Sequence, residues 1–143
     1  MTNYTSDSNA INASEADYLF IQKSQLENSG NGLFTAITIF KDVIIAQFAG
    51  EVLDAETAKI RAENGLDKYF ILLLNGTILD SMPTDCYAKY ANDATGFISS
   101  GFKNNAKIAL DENDNVCLVA TKKIKQNEEI FCSYGKKYWK KHK

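Results

Sequence analysis

Asn127-Glu128-Glu129-Ile130-Phe131-Cys132-Ser133-Tyr134-Gly135 closes the patterned part of the chain. Its apolar centre reads as a short strand over Glu129–Ser133 that runs out on a tyrosine and a glycine. Upstream, Ala106–Leu110 and Val116–Ala120 flank Asp111–Asn115 and read as a hairpin with a longer loop. Tyr69–Leu74 and Thr77–Leu79 flank Asn75-Gly76, a pair suited to the two positive-φ positions of a type I′ turn. Leu33–Phe40 and Val43–Phe48 are further β-branched runs with a tight turn at Lys41-Asp42 between them. One helix stands out over Ala55–Asn64, with Asp54 as N-cap and Gly65 beyond its end. Lys59 and Glu63 are spaced to pair on its exposed face. Pro83 punctuates the stretch before Tyr87. Many short strands, one short helix and long irregular connections predict a mainly β domain.

A chain of 143 residues with 45% apolar content suits a single domain with its own core. Residues 1–16 are rich in Ser, Thr, Asn and Asp and read as a polar arm or an edge segment that orders on packing. Three cysteines, Cys86, Cys117 and Cys132, show no CxxC spacing, and the one histidine, His142, stands near the end. That pattern gives no zinc cluster and no metal site. It predicts reduced, mostly buried thiols and an intracellular compartment. No apolar run approaches a membrane span, and the N-terminal stretch lacks the order of a secretion signal. The net charge is −2, yet residues 136–143 hold five lysines and no acid, which leaves −7 for the rest. An acidic body suits a basic peptide better than nucleic acid, so no direct nucleic-acid contact is expected.

Four segments exceed what a fold requires. Gly30-Asn31-Gly32 precedes a strand, where glycine lets backbone approach a ligand closely. It is not a dinucleotide fingerprint, because no third glycine opens a helix. Phe48-Ala49-Gly50-Glu51 ends a strand. Lys89-Tyr90-Ala91-Asn92-Asp93-Ala94 is followed by Asn104-Asn105-Ala106-Lys107, and Ala120-Thr121-Lys122-Lys123-Ile124 leads into the closing segment.

In order and spacing these segments resemble the SET domain family over roughly Leu26 to Trp139. The resemblance implies small curved sheets of the β-clip type, with a C-terminal pseudoknot where the asparagine segment meets the closing tyrosine segment. It also implies S-adenosylmethionine as cofactor and a protein lysine as substrate. The domain would span 17–135, between the 1–16 arm and a basic tail at 136–143. By the same resemblance Gly30, Asn31, Gly32, Tyr69, Lys89, Asn92, Asp93 and Trp139 contact the cofactor. Phe48, Tyr69, Cys132 and Tyr134 line the lysine channel, and Tyr134 is the catalytic tyrosine.

Three positions depart from the family pattern. Phe48 replaces a tyrosine and removes a channel hydroxyl, and Asp93 replaces a histidine. Cys132 replaces a Phe or Tyr that tunes the number of methyls added, a change that favours higher methylation. These expectations describe a lysine methyltransferase acting on a basic protein segment such as a histone tail, nuclear or chromatin-associated in a eukaryote. A homodimer would suit so small a chain. The alternative is an inactive SET domain that binds a peptide or protein.

Overall fold

The computed structural model describes residues 10–67, 69–73, 77–95 and 100–133. Helix α1 (Glu15–Tyr18) leads into β1 (Leu19–Lys23), β2 (Asn31–Thr35), β3 (Ile44–Gln47) and β4 (Glu51–Leu53). Helix α2 (Ala55–Glu63) precedes β5 (Phe70–Leu72) and β6 (Ile78–Asp80). A 3₁₀ turn (Ala88–Tyr90) then leads to β7 (Ala106–Leu110), β8 (Val116–Ala120) and β9 (Glu129–Ile130). The strands form three small antiparallel sheets, ordered β1-β2-β9, β3-β8-β7 and β4-β6-β5.

Strands β2 and β8 sit centrally in their sheets, and four of the five residues in each are buried. Leu33, Ile45, Ile108, Leu118, Ile124 and Ile130 share one cluster and are almost wholly out of water. A buried Leu or Ile contributes roughly 1.5–3 kcal/mol, so this cluster is the main adhesive between the first two sheets.

The β7–β8 hairpin has the bounds its pattern predicts. The run from Leu33 to Phe40 does not stay extended. Thr35 Oγ1 accepts from Ile37 N at 3.1 Å and donates to Ile37 O at 2.7 Å, and this local bonding bends the chain out of β2. Ile39 resumes only an isolated bridge to Ile124. The turn at Lys41-Asp42 is present, with Asp42 at φ 71°. It joins strands that do not pair, because β3 goes to β8 instead. The expected Asn75-Gly76 turn lies outside the described residues, while its flanks, β5 and β6, pair as expected.

Helix α2 starts where predicted, with Asp54 accepting from Thr57 N at 2.8 Å. Its ion-pairing residue is Arg61 rather than the expected Lys59–Glu63 pair. Arg61 Nη1 lies 2.9 Å from Asp80 and Nη2 lies 2.9 Å from Glu51, tying the helix to β6 and β4. Part of the polar arm is docked. Ala10 bridges Ile44, and Glu15 accepts from Gln47 N. Just beyond the arm, buried Tyr18 donates to Ile45 O at 2.6 Å.

Candidate cofactor site and pseudoknot

The chain crosses itself at the C-terminal end of the described region. Phe131 and Cys132 form parallel bridges to Asn92 on one side and Ala106 on the other. Cys132 N donates to Asn92 O at 2.8 Å, and Asn105 N and Ala106 N both donate to Phe131 O at 3.0 Å. The intervening 92–106 loop is closed across its base: Asn104 Nδ2 donates to Asp93 Oδ1 at 3.0 Å, and Ala94 N donates to Asn104 Oδ1 at 2.8 Å. Asn105 clamps the crossing strand twice, donating to Glu129 O at 3.0 Å and accepting from Phe131 N at 2.8 Å. This is the pseudoknot that the closing segment implied.

Asn92 also reaches the glycine loop. Its Nδ2 donates to Asn31 O at 3.0 Å, joining segments 61 residues apart. Together they border a cavity of about 300 Å³ lined by Ser29, Gly30, Asn31, Tyr69, Lys89, Tyr90, Ala91, Asn92 and Asp93. Six of the eight expected cofactor residues therefore meet in one place: Gly30, Asn31, Tyr69, Lys89, Asn92 and Asp93. Gly30 earns its glycine through backbone conformation, at φ +64° with open space where a Cβ would stand.

Gly32 serves a different purpose. A Cβ there would collide with the Glu129 carboxylate, so this glycine lets β2 pack against β9 and is not among the lining residues. Glu129 is 2% exposed. It accepts from Ser24 Oγ at 2.6 Å and Gln25 N at 2.8 Å, which anchors the segment leading into the glycine loop. Ser24, Asn104, Asn105 and Glu129 thus build the site without having been singled out as site residues. Asn104, Asn105 and Glu129 were visible only as motif residues and Ser24 not at all, because a bond across 105 residues leaves no local pattern.

Lys89 lies in the pocket wall, with Nζ 3.0 Å from Thr84 O and 5.6 Å from the ring centroids of both Tyr69 and Tyr90. Asp93 does more than offer backbone in place of histidine. Thr95 Oγ1 donates to its Oδ1 at 2.6 Å and Thr95 N at 3.0 Å. Burial raises its pKa, but the bonds from Thr95, Asn104 and Ser133 outweigh that and hold it below the ordinary carboxylate value.

Phe48 and Cys132 share the main buried cluster, at 7% and 0% exposure, and neither lines this cavity. Burial, with a smaller contribution from Asp93, pushes the Cys132 thiol well up, so it is an inert wall. Burial likewise raises the Cys117 thiol to about 12. All three cysteines are free, and among the described residues no cluster of His, Cys, Asp or Glu could hold a metal. Tyr134 and Trp139 lie outside the described residues.

The family model for the SET domain matches residues 30–135, most of the chain. The chain belongs to the SET domain family. Its fold is similar to a humanized mutant of the Chaetomium thermophilum Polycomb Repressive Complex 2 bound to the inhibitor GSK343, with 28% identity and a TM-score of 0.68 over 82% of this SET chain. The GSK126-bound form gives 29% and 0.67, and an apo form carrying two substitutions in Ezh2 gives 27% and 0.67, each over 82% of the chain. The match spans only 15% of each of those larger chains. A search among curated proteins returned no match. SET domain methyltransferases generally use S-adenosylmethionine. Among the described residues no helix is long and apolar enough to cross a membrane.

Proposed function

We propose that this SET domain transfers a methyl group from S-adenosylmethionine to a lysine in a basic protein segment, with a histone tail the favoured substrate. The observation that carries the reading is the Asn92–Asn31 bond, which joins the two family motifs around one cavity.

The donor set fits the cofactor. The cavity, about 300 Å³, is at the lower end of small-molecule sites. Asn92 donates one amide hydrogen to Asn31 O, and its Oδ1 accepts nothing among the described residues. That leaves an acceptor for an ammonium group, while Lys89 offers a cation for a carboxylate and Tyr69 an aromatic face. Gly30, Asn31, Tyr69, Lys89, Asn92 and Asp93 would hold the cofactor.

Bound there, S-adenosylmethionine supplies an electrophilic methyl group on a sulfonium. The protein has little covalent work left, and orientation alone is worth on the order of 7–11 kcal/mol. Its remaining tasks are to align the incoming lysine and to strip that lysine of water. Desolvation lowers a lysine pKa toward its neutral, nucleophilic form. Phe48 and Cys132, both buried in the main cluster, bring no hydroxyl to the lysine channel of the family pattern, which favours more than one methyl. The family pattern gives Tyr134 an orienting and electrostatic role at the reacting amine. A phenol of pKa about 10 is a poor base at neutral pH.

Calorimetric titration with S-adenosylmethionine, followed by a tritiated-methyl assay on mixed histones, tests this reading. Binding with transfer is expected. Asn92→Ala should weaken binding about tenfold, the value of one lost hydrogen bond. Tyr134→Phe should keep binding within a few-fold while cutting turnover strongly. Binding without transfer to any protein would favour the inactive, peptide-binding alternative, and no binding would overturn both roles of the pocket. Chromatin association and a homodimer belong to the same proposal; a monomer by light scattering would remove the dimer.

A further inference from the structure

A second cavity, of about 420 Å³, shares no lining residue with the cofactor pocket. Lys103, Lys122, Lys123 and Lys125 line it, together with Phe102 and Phe131, whose ring centroids are 5.3 Å apart. None of these lysines is ion-paired among the described residues, where the ion pairs belong to Arg61.

The backbone extends this face. Ile39 and Ile124 exchange N–H···O bonds of 2.8 and 2.7 Å, which brings Phe40 beside Lys123. Phe40 is 59% exposed, and Lys123 Nζ stands 5.6 Å from its ring centroid. Exposed Lys41 follows it. Glu128 and Glu129 line the same cavity and offset part of this charge, so its four lysines outnumber its acids by two. Glu128 accepts from Lys125 N at 2.7 Å, Glu129 is turned to Ser24 and Gln25, and Asp42 stands beside Lys41.

Four unpaired lysines around one cavity repel one another, and an exposed phenylalanine on a soluble face costs solvation. Both features are unfavourable in the free protein, and both are relieved by a polyanion with flat aromatic groups. The whole-chain charge of −2 conceals this local reversal.

We propose that this face binds single-stranded nucleic acid, with Lys103, Lys122, Lys123 and Lys125 on backbone phosphates and Phe40 as a stacking platform for a base. An acidic protein segment would answer the lysines but brings no obligatory ring to Phe40. The proposal stands independently of methyl transfer, since no residue of the cofactor pocket takes part.

The test is fluorescence anisotropy of the full chain with a labelled single strand of about 20 nucleotides, a length sufficient for one stacking site. It is run as a salt series and repeated with poly-glutamate. Saturable binding to the oligonucleotide is expected, with a log–log salt slope that falls by about 3 when the four lysines become glutamine, at roughly 0.7 per phosphate. Phe40→Ala should weaken binding several-fold without altering that slope. Thermal melts confirm that each variant is folded, and a four-lysine variant that fails to fold is replaced by the pair Lys122→Gln and Lys123→Gln, expected to give about half of that fall in slope. The terminal lysines 136, 137, 140, 141 and 143 are changed to glutamine in a separate variant. Loss of binding there but not in the lysine-cavity variants would overturn the proposal. So would the absence of oligonucleotide binding, a preference for poly-glutamate, or an unchanged affinity in Phe40→Ala.

Discussion

Beyond the residues they share with the main core, the pseudoknot and the outer sheet β4-β6-β5 each have a small apolar cluster of their own, of three buried residues. Leu26, Ala94 and Phe131 serve the first; Leu53, Ala58 and Phe70 serve the second. Clusters of that size do not fix a backbone by themselves, and each region adds polar ties of a different kind. The pseudoknot uses neutral amides aimed at backbone groups, from Asn104 and Asn105, with Asp93 as the charged acceptor. The outer sheet uses Arg61 between Asp80 and Glu51. A neutral amide on a backbone N–H and C=O sets position to tenths of an ångström and is insensitive to salt. The Arg61–Glu51 pair is partly open to water and screened, whereas Asp80 is buried and its pair with Arg61 is screened less. The tighter device sits beside the proposed cofactor pocket, where Asn92 is bonded to the glycine loop.

Breaking the stronger device should have the larger effect. Asn105→Ala leaves Glu129 O and Phe131 N without their partner, at a part-buried crossing. Each unmet group costs roughly 1–3 kcal/mol when buried, and partial access to water puts the pair in the lower part of the summed range, about 2–4 kcal/mol by urea titration. Cofactor affinity should fall too, because Asn92 hangs on the same crossing strand. A loss below about 1 kcal/mol would mean that water replaces the amide and that the neutral clamp is not the decisive tie.

The outer sheet is tested through Gly50. A Cβ there would run into the backbone carbonyl of Asp80, which Arg61 and Met82 N hold in place through the Asp80 carboxylate. Overpacking against backbone costs typically 1–3 kcal/mol, and Gly50→Ala should show about that loss. In the Arg61→Met background the Asp80 strand is freer to move. The added cost of Gly50→Ala should then shrink, and an unchanged cost in the double variant would show that Arg61 does not fix β6.

How far the sequence could foresee these regions depends on the reach of each interaction. The β7–β8 hairpin and α2 were legible because alternation, turn chemistry and the Asp54 cap act within a few residues. The Leu33–Phe40 run misled because the Thr35 hydroxyl bonds both backbone groups of Ile37 and turns the chain out of the strand. The pocket was legible through motif order, which placed Asn92 and the glycine loop together without any local reason to do so. At Gly32 the lack of a side chain also makes room for the Glu129 carboxylate, a packing need that a glycine in a sequence does not announce. The lysine-lined cavity could not be seen at all: its charges come from residues 103 and 122–125, and their convergence depends on the pseudoknot and on the Ile39–Ile124 bridge.

The smallest effect separates charge from geometry inside the pseudoknot. Asp93 is the one charged group at the base of the crossing loop, held below the ordinary carboxylate pKa by Thr95, Asn104 and Ser133 against the opposing effect of burial. A group whose folded pKa is depressed favours folding above its unfolded value, about 3.9 for aspartate. That contribution fades as pH falls through the ordinary carboxylate range to the lower folded value. Asp93→Asn keeps an oxygen for the same donors and removes the charge. The wild type should therefore melt above the variant at pH 7, with the gap narrowing steadily towards pH 3. Because Asp93 is only partly buried, the gap should correspond to less than about 1 kcal/mol. Other depressed carboxylates, Asp54 and Asp111, stand in both proteins and cancel in the difference. A gap that stays constant with pH would assign the loop closure to geometry alone, and would extend to Asp93 the neutral logic of Asn104 and Asn105.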